Sequence, residues 1–248
     1  MKYALLSDIH EDRASLEKAL RMIAHEACDE IICLGDVLGF NPHFHRHHKT
    51  RDAAGCLDLI QENCSILIPG NHDLYAIEKL PQLGGDFQFP ENWYALSIAE
   101  REKIGAGKVW LYNDGEAHSQ VSDKHREWLA GLPEIQVVES RIGNILFSHY
   151  AYPNLSGALT QFYHKTKAFQ AHKAFMEDKA CSFSFIGHLH HPGLSISSWR
   201  MKRKGFNRSY RLKKGDCIAV PPVVDTGSGG SFCIFNMEDQ TVMAKLYR

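Results

Sequence analysis

Five short apolar runs in this chain each end on residues able to bind a metal ion, and that repetition constrains the fold more than any other feature. Residues 3–6 lead into Asp8-x-His10, 31–34 into Gly35-Asp36, 66–68 into Gly70-Asn71-His72-Asp73, 142–147 into Ser148-His149, and 183–186 into Gly187-His188-x-His190. Short apolar runs bounded by glycine and polar residues read as buried strands. In open α/β sheets, binding sites lie beyond the carboxyl ends of strands, so these five segments deliver polar side chains to one edge. Between the first two runs, Leu16, Ala19, Leu20, Ile23 and Ala27 recur at three- and four-residue steps and predict a helix over about 14–27. A second helix is expected over about 53–62. Strands alternating with helices imply βαβ units and a largely parallel sheet.

The middle of the chain, about 75–132, reads as helical and polar, with Trp93, Leu96 and Ile98 on one pattern, Trp128, Leu129 and Leu132 on another, and Pro133 ending the second. After a strand at 135–138, a helix is expected over about 159–176, carrying Phe162, Phe169 and Phe175 as core; Tyr163, His164 and Lys165 could face a pocket, though nothing singles them out. The runs 194–196, 210–212, 217–220, 232–235 and 242–246, separated by Gly, Pro, Asn and charges, have the pattern of antiparallel strands and hairpins. With neither repeat nor linker, residues 1–248 read as a single α/β domain with two sheets.

Asp and His at alternate positions past a strand can both turn inward if the chain bends, and Gly35, Gly70 and Gly187 permit such turns. Mixed carboxylate, imidazole and amide-oxygen donors suit Mn, Fe or Zn better than Mg or Ca. Seven donors exceed one four-coordinate ion and fit two ions bridged by a carboxylate, about 3.5–4 Å apart.

In this order, DxH, GD, GNHD, H and GHxH resemble the signature of the calcineurin-like phosphoesterases, spanning Asp8 to His190. The likeness is greatest to a compact prokaryotic branch with diadenosine-tetraphosphatase-like and phosphodiesterase-like members. There the GD motif runs on like Gly35-Asp36-Val37-Leu38-Gly39-Phe40-Asn41-Pro42, and a late glycine turn resembles Thr226-Gly227-Ser228-Gly229-Gly230. The resemblance implies two packed mixed β-sheets flanked by helices, a four-layer sandwich. It assigns Asp8, His10 and His190 to one metal, Asn71, His149 and His188 to the other, and Asp36 to the bridge between two divalent transition-metal ions (Mn, Fe, Zn or Ni). It places His72 at the phosphate and leaving group, with Asp73 holding its imidazole. The implied activity is two-metal phosphoester hydrolysis, as phosphatase or phosphodiesterase, by in-line attack of a metal-bridging hydroxide. Asn41, His45 and Tyr150 are candidates for substrate contact. The chain departs from the pattern at Glu11-Asp12, where Gly-Asn is common, at Tyr150, where Gly is common, and in lacking the Asp-Arg-Gly and GNHE of Ser/Thr protein phosphatases.

A formal net charge of -1 gives no global pull toward nucleic acid or acidic membranes. Eight Lys or Arg and no acid between residues 200 and 214 read first as a solvated hairpin edge; a polyanion contact is the rival, and the support for a nuclease. A non-catalytic binding module is the other alternative, against which all seven ligand positions are intact. The run His43-Phe44-His45-Arg46-His47-His48 has no carboxylate or cysteine close by for a third metal, and lining the active-site mouth or a solvated loop fits it better. Seven cysteines, among them Cys33 and Cys233 in apolar runs, suggest free thiols in a reducing compartment. The first residues are too short a stretch for a signal-peptide core, and no apolar run approaches the ~20 residues of a membrane span. The expected setting is cytoplasmic and the expected partner a phosphoester, nucleotides included, with oligomeric state open.

Overall fold

The computed structural model describes residues 1–112, 118–162, 166–197, 202–225, 227 and 229–247, the backbone alone for 166–168. In chain order the elements are β1 (Lys2–Leu6), α1 (Arg13–Ala24), β2 (Glu30–Cys33), α2 (Ala53–Asn63), β3 (Ile66–Leu67), α3 (Asn71–Ala76), α4 (Ile98–Gly105), α5 (Asp123–Ala130), β4 (Ile135–Val138), β5 (Asn144–Ser148), α6 (Thr166–Asp178), β6 (Cys181–Ile186), β7 (Leu194–Ser197), β8 (Lys202–Lys204), β9 (Tyr210–Arg211), β10 (Asp216–Ala219), β11 (Gly230–Asn236) and β12 (Thr241–Tyr247). Two six-stranded sheets result, ordered β3-β2-β1-β11-β12-β9 and β4-β5-β6-β10-β7-β8. Strands β1, β2 and β3 run parallel in the first, and β5, β6 and β10 in the second.

Side-chain alternation along β1 explains the layering. Tyr3 and Leu5 face the second sheet and join Phe147, Phe183, Phe185 and Phe235 in a core between the sheets. Ala4 and Leu6 point the other way, against Leu16, Ala19 and Ile23 of α1 and Cys56, Leu57 and Ile60 of α2. On the far side, Leu146 and Cys181 pack with Met176 of α6. Helices therefore cover both outer faces, and the four-layer α/β expectation holds. The capping aspartates fix the helix starts: Asp12 accepts from Ser15 N (3.1 Å) and Asp52 from Gly55 N (2.8 Å). All seven cysteines are free thiols. Among the described residues, no helix is long and apolar enough to cross a membrane.

Two expectations need correction. Among its described residues, the middle segment holds the short α3, α4 and α5 and a 3-10 turn at Trp93–Ala95 rather than continuous helix. Residues 159–162 lie outside the helix expected there, whose described part is Thr166–Asp178; Phe162 is 38% exposed, while Phe169 is core as expected. The C-terminal strands pair antiparallel as expected, β11 with β12, β12 with β9, and β7 with β8 and β10, and they are divided between the two sheets: β11 also pairs with β1 in the first, and β10 also lies parallel to β6 in the second. The basic stretch supplies edge strands to both sheets, β8 and β9. Arg200, Tyr163, His164, Lys165, Thr226 and Ser228 lie outside the described residues.

His172 on α6 ties the outer layer to the sheet. Its Nδ1 accepts Tyr152 N–H (2.9 Å) and its Nε2 faces Ser184 Oγ (2.9 Å), an arrangement that needs the neutral ring. Burial pushes its pKa down to about 4, against an unfolded value of about 6.5. The folded-state value is depressed, so the stabilisation is complete above the unfolded value and is lost as pH falls from about 6.5 toward 4, up to about 3 kcal/mol. Urea unfolding at pH 7 and pH 5 should show a smaller drop in stability for His172→Gln than for the parent; equal drops would assign the acid sensitivity elsewhere.

Candidate metal centre

Six of the seven ligand candidates stand in turns just beyond the carboxyl ends of β1, β2, β5 and β6, and Asn71 opens α3 shortly after β3. The turns are unusual in their backbone. Asp8 (φ 54°), His10 (49°), Asp36 (53°), His188 (65°) and His190 (46°) all take the left-handed conformation, which L residues avoid at a cost of order 1–3 kcal/mol each. Cross-bracing holds them there: Asp8 N donates to Gly35 O (2.9 Å), Ile9 N and His10 N to Asp36 O (2.7 and 3.0 Å), and His188 N to both carboxylate oxygens of Asp8 (3.1 Å). Such a cluster of strained ligand residues concentrates donor atoms at one point.

Two groups of donors result. Asp8, His10 and His190 offer ligand atoms within 4.8 Å of one another, as do Asp36, His149 and His188. In the first group His10 Nδ1 donates to Gly39 O (2.8 Å), which leaves the Nε2 lone pair facing His190 Nε2 at 3.0 Å; His190 Nε2 lies 3.3 Å from Asp8 Oδ1. In the second, His149 Nδ1 donates to Leu34 O (2.7 Å), and Nε2 faces Asn71 Oδ1 (3.0 Å) and Asp36 Oδ2 (3.1 Å). Asn71 gives its amide N–H to the Tyr112 hydroxyl (2.6 Å), which turns Oδ1 inward. His188 Nε2 is buried with no hydrogen-bond partner among the described residues.

The electrostatics match. Burial alone would raise Asp8 and Asp36, but His190 and His149 outweigh it, and both carboxyls sit below the usual carboxylate range. Burial and the neighbouring imidazoles keep His10 well below its ordinary value and push His188 down to about 3, so both rings hold neutral, ligating lone pairs. At His149 burial opposes the charge, yet Asp36 and Asp8 outweigh it and raise the pKa to about 9. A proton there does in part what a cation would do. Convergent lone pairs, two buried carboxylates and the orphaned His188 nitrogen all fit divalent cations.

His72 belongs to neither donor group. Its backbone N–H bonds Asp36 Oδ1 (2.9 Å), and its ring lies edge-on to His10 (5.0 Å) and against Tyr112 (4.7 Å). Asp73 accepts Leu38 N and Gly70 N (both 2.9 Å), so its carboxylate locks the turn before Gly39 to the start of α3. Gly39 (φ 92°) is needed there because a Cβ would run into the His72 ring. Burial and the charge of Asp36 raise the Asp73 pKa.

Of the substrate candidates, His45 lies over His10 (4.6 Å between ring centres), with Asn41 N donating to its Nδ1 (3.1 Å). His47 Nε2 reaches His10 O (2.9 Å), so the His-rich loop rests on the metal-site turn. Tyr150, the third candidate for substrate contact, is fully buried behind His188, ring centres 4.7 Å apart, in a cluster with Ala151, Phe169 and Ile186. Glu11 carries no bare charge beside the site. Fully buried, it pairs with Arg51 (2.5 Å) and accepts from Ser119 Oγ (2.5 Å) and Gly39 N (3.2 Å).

Sequence reasoning missed Gly157, Tyr112 and Phe162. Gly157 (φ 79°) passes so close that a Cβ would stand 2.6 Å from Asn71 Oδ1 and 2.9 Å from His188 Nδ1. Gly157→Ala should therefore weaken metal affinity about 10–100-fold, in the range of second-layer changes, with little loss of helix content; titration against a chromogenic chelator reads this, and unchanged affinity would show that the approach is inconsequential. A Ser-Gly pair in a loop carries no chemical signal, which is why the sequence hid it.

The chain belongs to the calcineurin-like phosphoesterase family, whose profile matches residues 1–192. It is similar in structure to a metallophosphoesterase from Sphaerobacter thermophilus (18% identity, all of this chain and 88% of that one, TM-score 0.67) and to the hypothetical protein PH1004 from Pyrococcus horikoshii OT3 (14% identity, all of this chain and 88% of that one, TM-score 0.60). At such identities these likenesses concern the fold. The uncharacterized protein MJ0912 of Methanocaldococcus jannaschii is 23% identical over 148 residues, 59% of this chain and 48% of that protein, so the match spans about half that relative's length.

Proposed function

We propose that the protein is a phosphoester hydrolase working with two divalent transition-metal ions, drawn from Mn, Fe, Zn and Ni, held by residues 1–248 as one domain. The observation that carries this reading is the pair of adjacent donor groups, Asp8, His10 and His190 beside Asp36, His149 and His188, with Asn71 Oδ1 against the second. Asp36, one oxygen toward His149 and the other on the His72 backbone, is the natural shared ligand. Bound ions would polarise phosphoryl oxygens and acidify a water nucleophile. The chain's own part is positioning. Gly39 and Leu34 carbonyls fix the ring tautomers of His10 and His149, and Tyr112 orients Asn71. His72 stands beside the centre, outside both ligand groups, where it serves the phosphate and the leaving oxygen. Asp73 acts on it through the Leu38–Gly39 turn. His45 and Asn41 lie where a phosphoester would enter, and Tyr150 supports His188 from behind. A panel of phosphomonoesters and phosphodiesters, nucleotides included, assayed with each metal tests the reading; hydrolysis of none of them with any metal would overturn it.

The nuclease alternative rests on the basic stretch, whose described part supplies the edge strands β8 and β9. Neutralising Lys202, Arg203 and Lys204 should leave the rate and its salt dependence within about twofold, since real phosphate contacts would reduce the salt slope. A flattened salt dependence on nucleic acid would favour the nuclease.

A further inference from the structure

Resting on the two-ion reading above, we infer that Glu11 is a positioning residue for the first donor group: it anchors Gly39, whose carbonyl holds the His10 ring ready to bind metal. Gly39 is the weak point of that group. Its carbonyl accepts the His10 Nδ1–H (2.8 Å), which leaves Nε2 free to ligate. Yet residue 39 must be glycine, because a Cβ at φ 92° would run into the His72 ring, and glycine is the residue least able to hold one orientation by itself. Its neighbours therefore fix it from the N–H side. Leu38 N donates to Asp73 Oδ1 (2.9 Å) and Gly39 N to Glu11 Oε1 (3.2 Å), so two buried carboxylates grip successive N–H groups of the turn.

Glu11 is itself firmly held. Its backbone keeps φ 65° through Glu11 N to Val37 O (2.8 Å) and through Arg13 N and Asp52 N on its carbonyl (3.1 and 3.0 Å). Arg51 Nε and Ser119 Oγ steady the carboxylate (both 2.5 Å). Buried ion pairs seldom add stability over apolar packing, so a fully buried carboxylate where the family pattern commonly carries glycine points to the site it supports. The second donor group has no such anchor and needs none. His149 Nδ1 donates to Leu34 O (2.7 Å), and Leu34 N is held by Leu6 O (2.8 Å), a continuation of the β1–β2 pairing. The strand ladder does for His149 what Glu11 does for His10, which confines the contribution of Glu11 to the first ion.

The test titrates the metal-stripped full chain with Zn²⁺ against a competing chelator and follows the histidine ring nitrogens by ¹⁵N NMR, which reads His10 and His190 apart from His149 and His188. Two variants serve: Glu11→Gln, and Glu11→Met combined with Arg51→Met, which removes both charges together. Before metal is added, His10 of the parent should carry its proton on Nδ1, and both variants should show a mixture of the two tautomers with His149 unchanged. On titration, the first ion should bind about tenfold more weakly in the double variant, within the range for outer-layer partners. In Glu11→Gln, whose amide oxygen remains a weaker, uncharged acceptor, the loss should be about threefold. The second ion should stay within about twofold of the parent in both. An unmoved His10 tautomer, an unchanged first-ion affinity, or equal losses at both sites would each overturn the inference, equal losses marking a merely structural role. Should circular dichroism show the double variant unfolded, Glu11→Gln decides alone. Parent stoichiometry judges the two-ion reading separately: a parent that takes up fewer than two ions fails that reading, and the His10 tautomer still decides the role of Glu11.

Discussion

Asp36→Asn should lower phosphoester hydrolysis by about a thousandfold or more while leaving the protein folded. The carboxylate lies at the junction of the two donor groups, its oxygens committed to His149 Nε2 (3.1 Å) and His72 N (2.9 Å). An amide would keep the shape and one acceptor but remove the charge that a cation pair needs. On the two-ion proposal, several kcal/mol of transition-state stabilisation would depend on those ions, and each 1.36 kcal/mol is tenfold in rate. Metal content by mass spectrometry should fall together with activity, and circular dichroism should not change. A variant that retains two tightly bound ions and near-parent rate would show that Asp36 is not the shared ligand.

His72→Gln should separate substrates by leaving group. His72 lies outside both ligand groups but within ring contact of His10 and Tyr112. A departing alkoxide needs a proton or an equivalent partner, and a positioned acid contributes about 10²–10⁴-fold; p-nitrophenolate, already stable as an anion, needs little help. The variant should keep its metals, lose most of its rate on an alkyl phosphoester and distinctly less on a nitrophenyl ester. Asp73→Asn should show the same pattern more weakly, because its carboxylate reaches His72 only through the Leu38 and Gly70 backbone. Equal losses on both esters would make the role purely electrostatic, and loss of metal would make His72 a ligand.

The donor-bearing strand ends were legible because each pairs a period-breaking apolar run with an immediate polar cluster, and burial between two sheets demands such runs at β1, β2, β5 and β6. The family resemblance supplied the order of ligands, and the structure brings those residues together. What stayed hidden depended on long-range packing. Phe162 has the spacing of a helical core residue relative to Phe169, yet 158–160 pairs with 108–110 and Phe162 lies outside any helix. Tyr150 looked like a substrate contact by its place after His149, but the turn buries it behind His188. Glu11, a departure from the family pattern, is paired with Arg51, 40 residues away in sequence. No local pattern records contacts of this kind.

Crystals of the purified protein soaked in Mn²⁺, with anomalous difference maps recorded above the Mn edge, test the two-ion centre most directly. Two peaks about 3.5–4 Å apart are expected, one within bonding distance of Asp8, His10 and His190, the other of Asn71, His149 and His188, with Asp36 reaching both and His72 reaching neither. A single peak, or a second ion held by the His43–His48 loop rather than by Asn71, His149 and His188, would contradict the account.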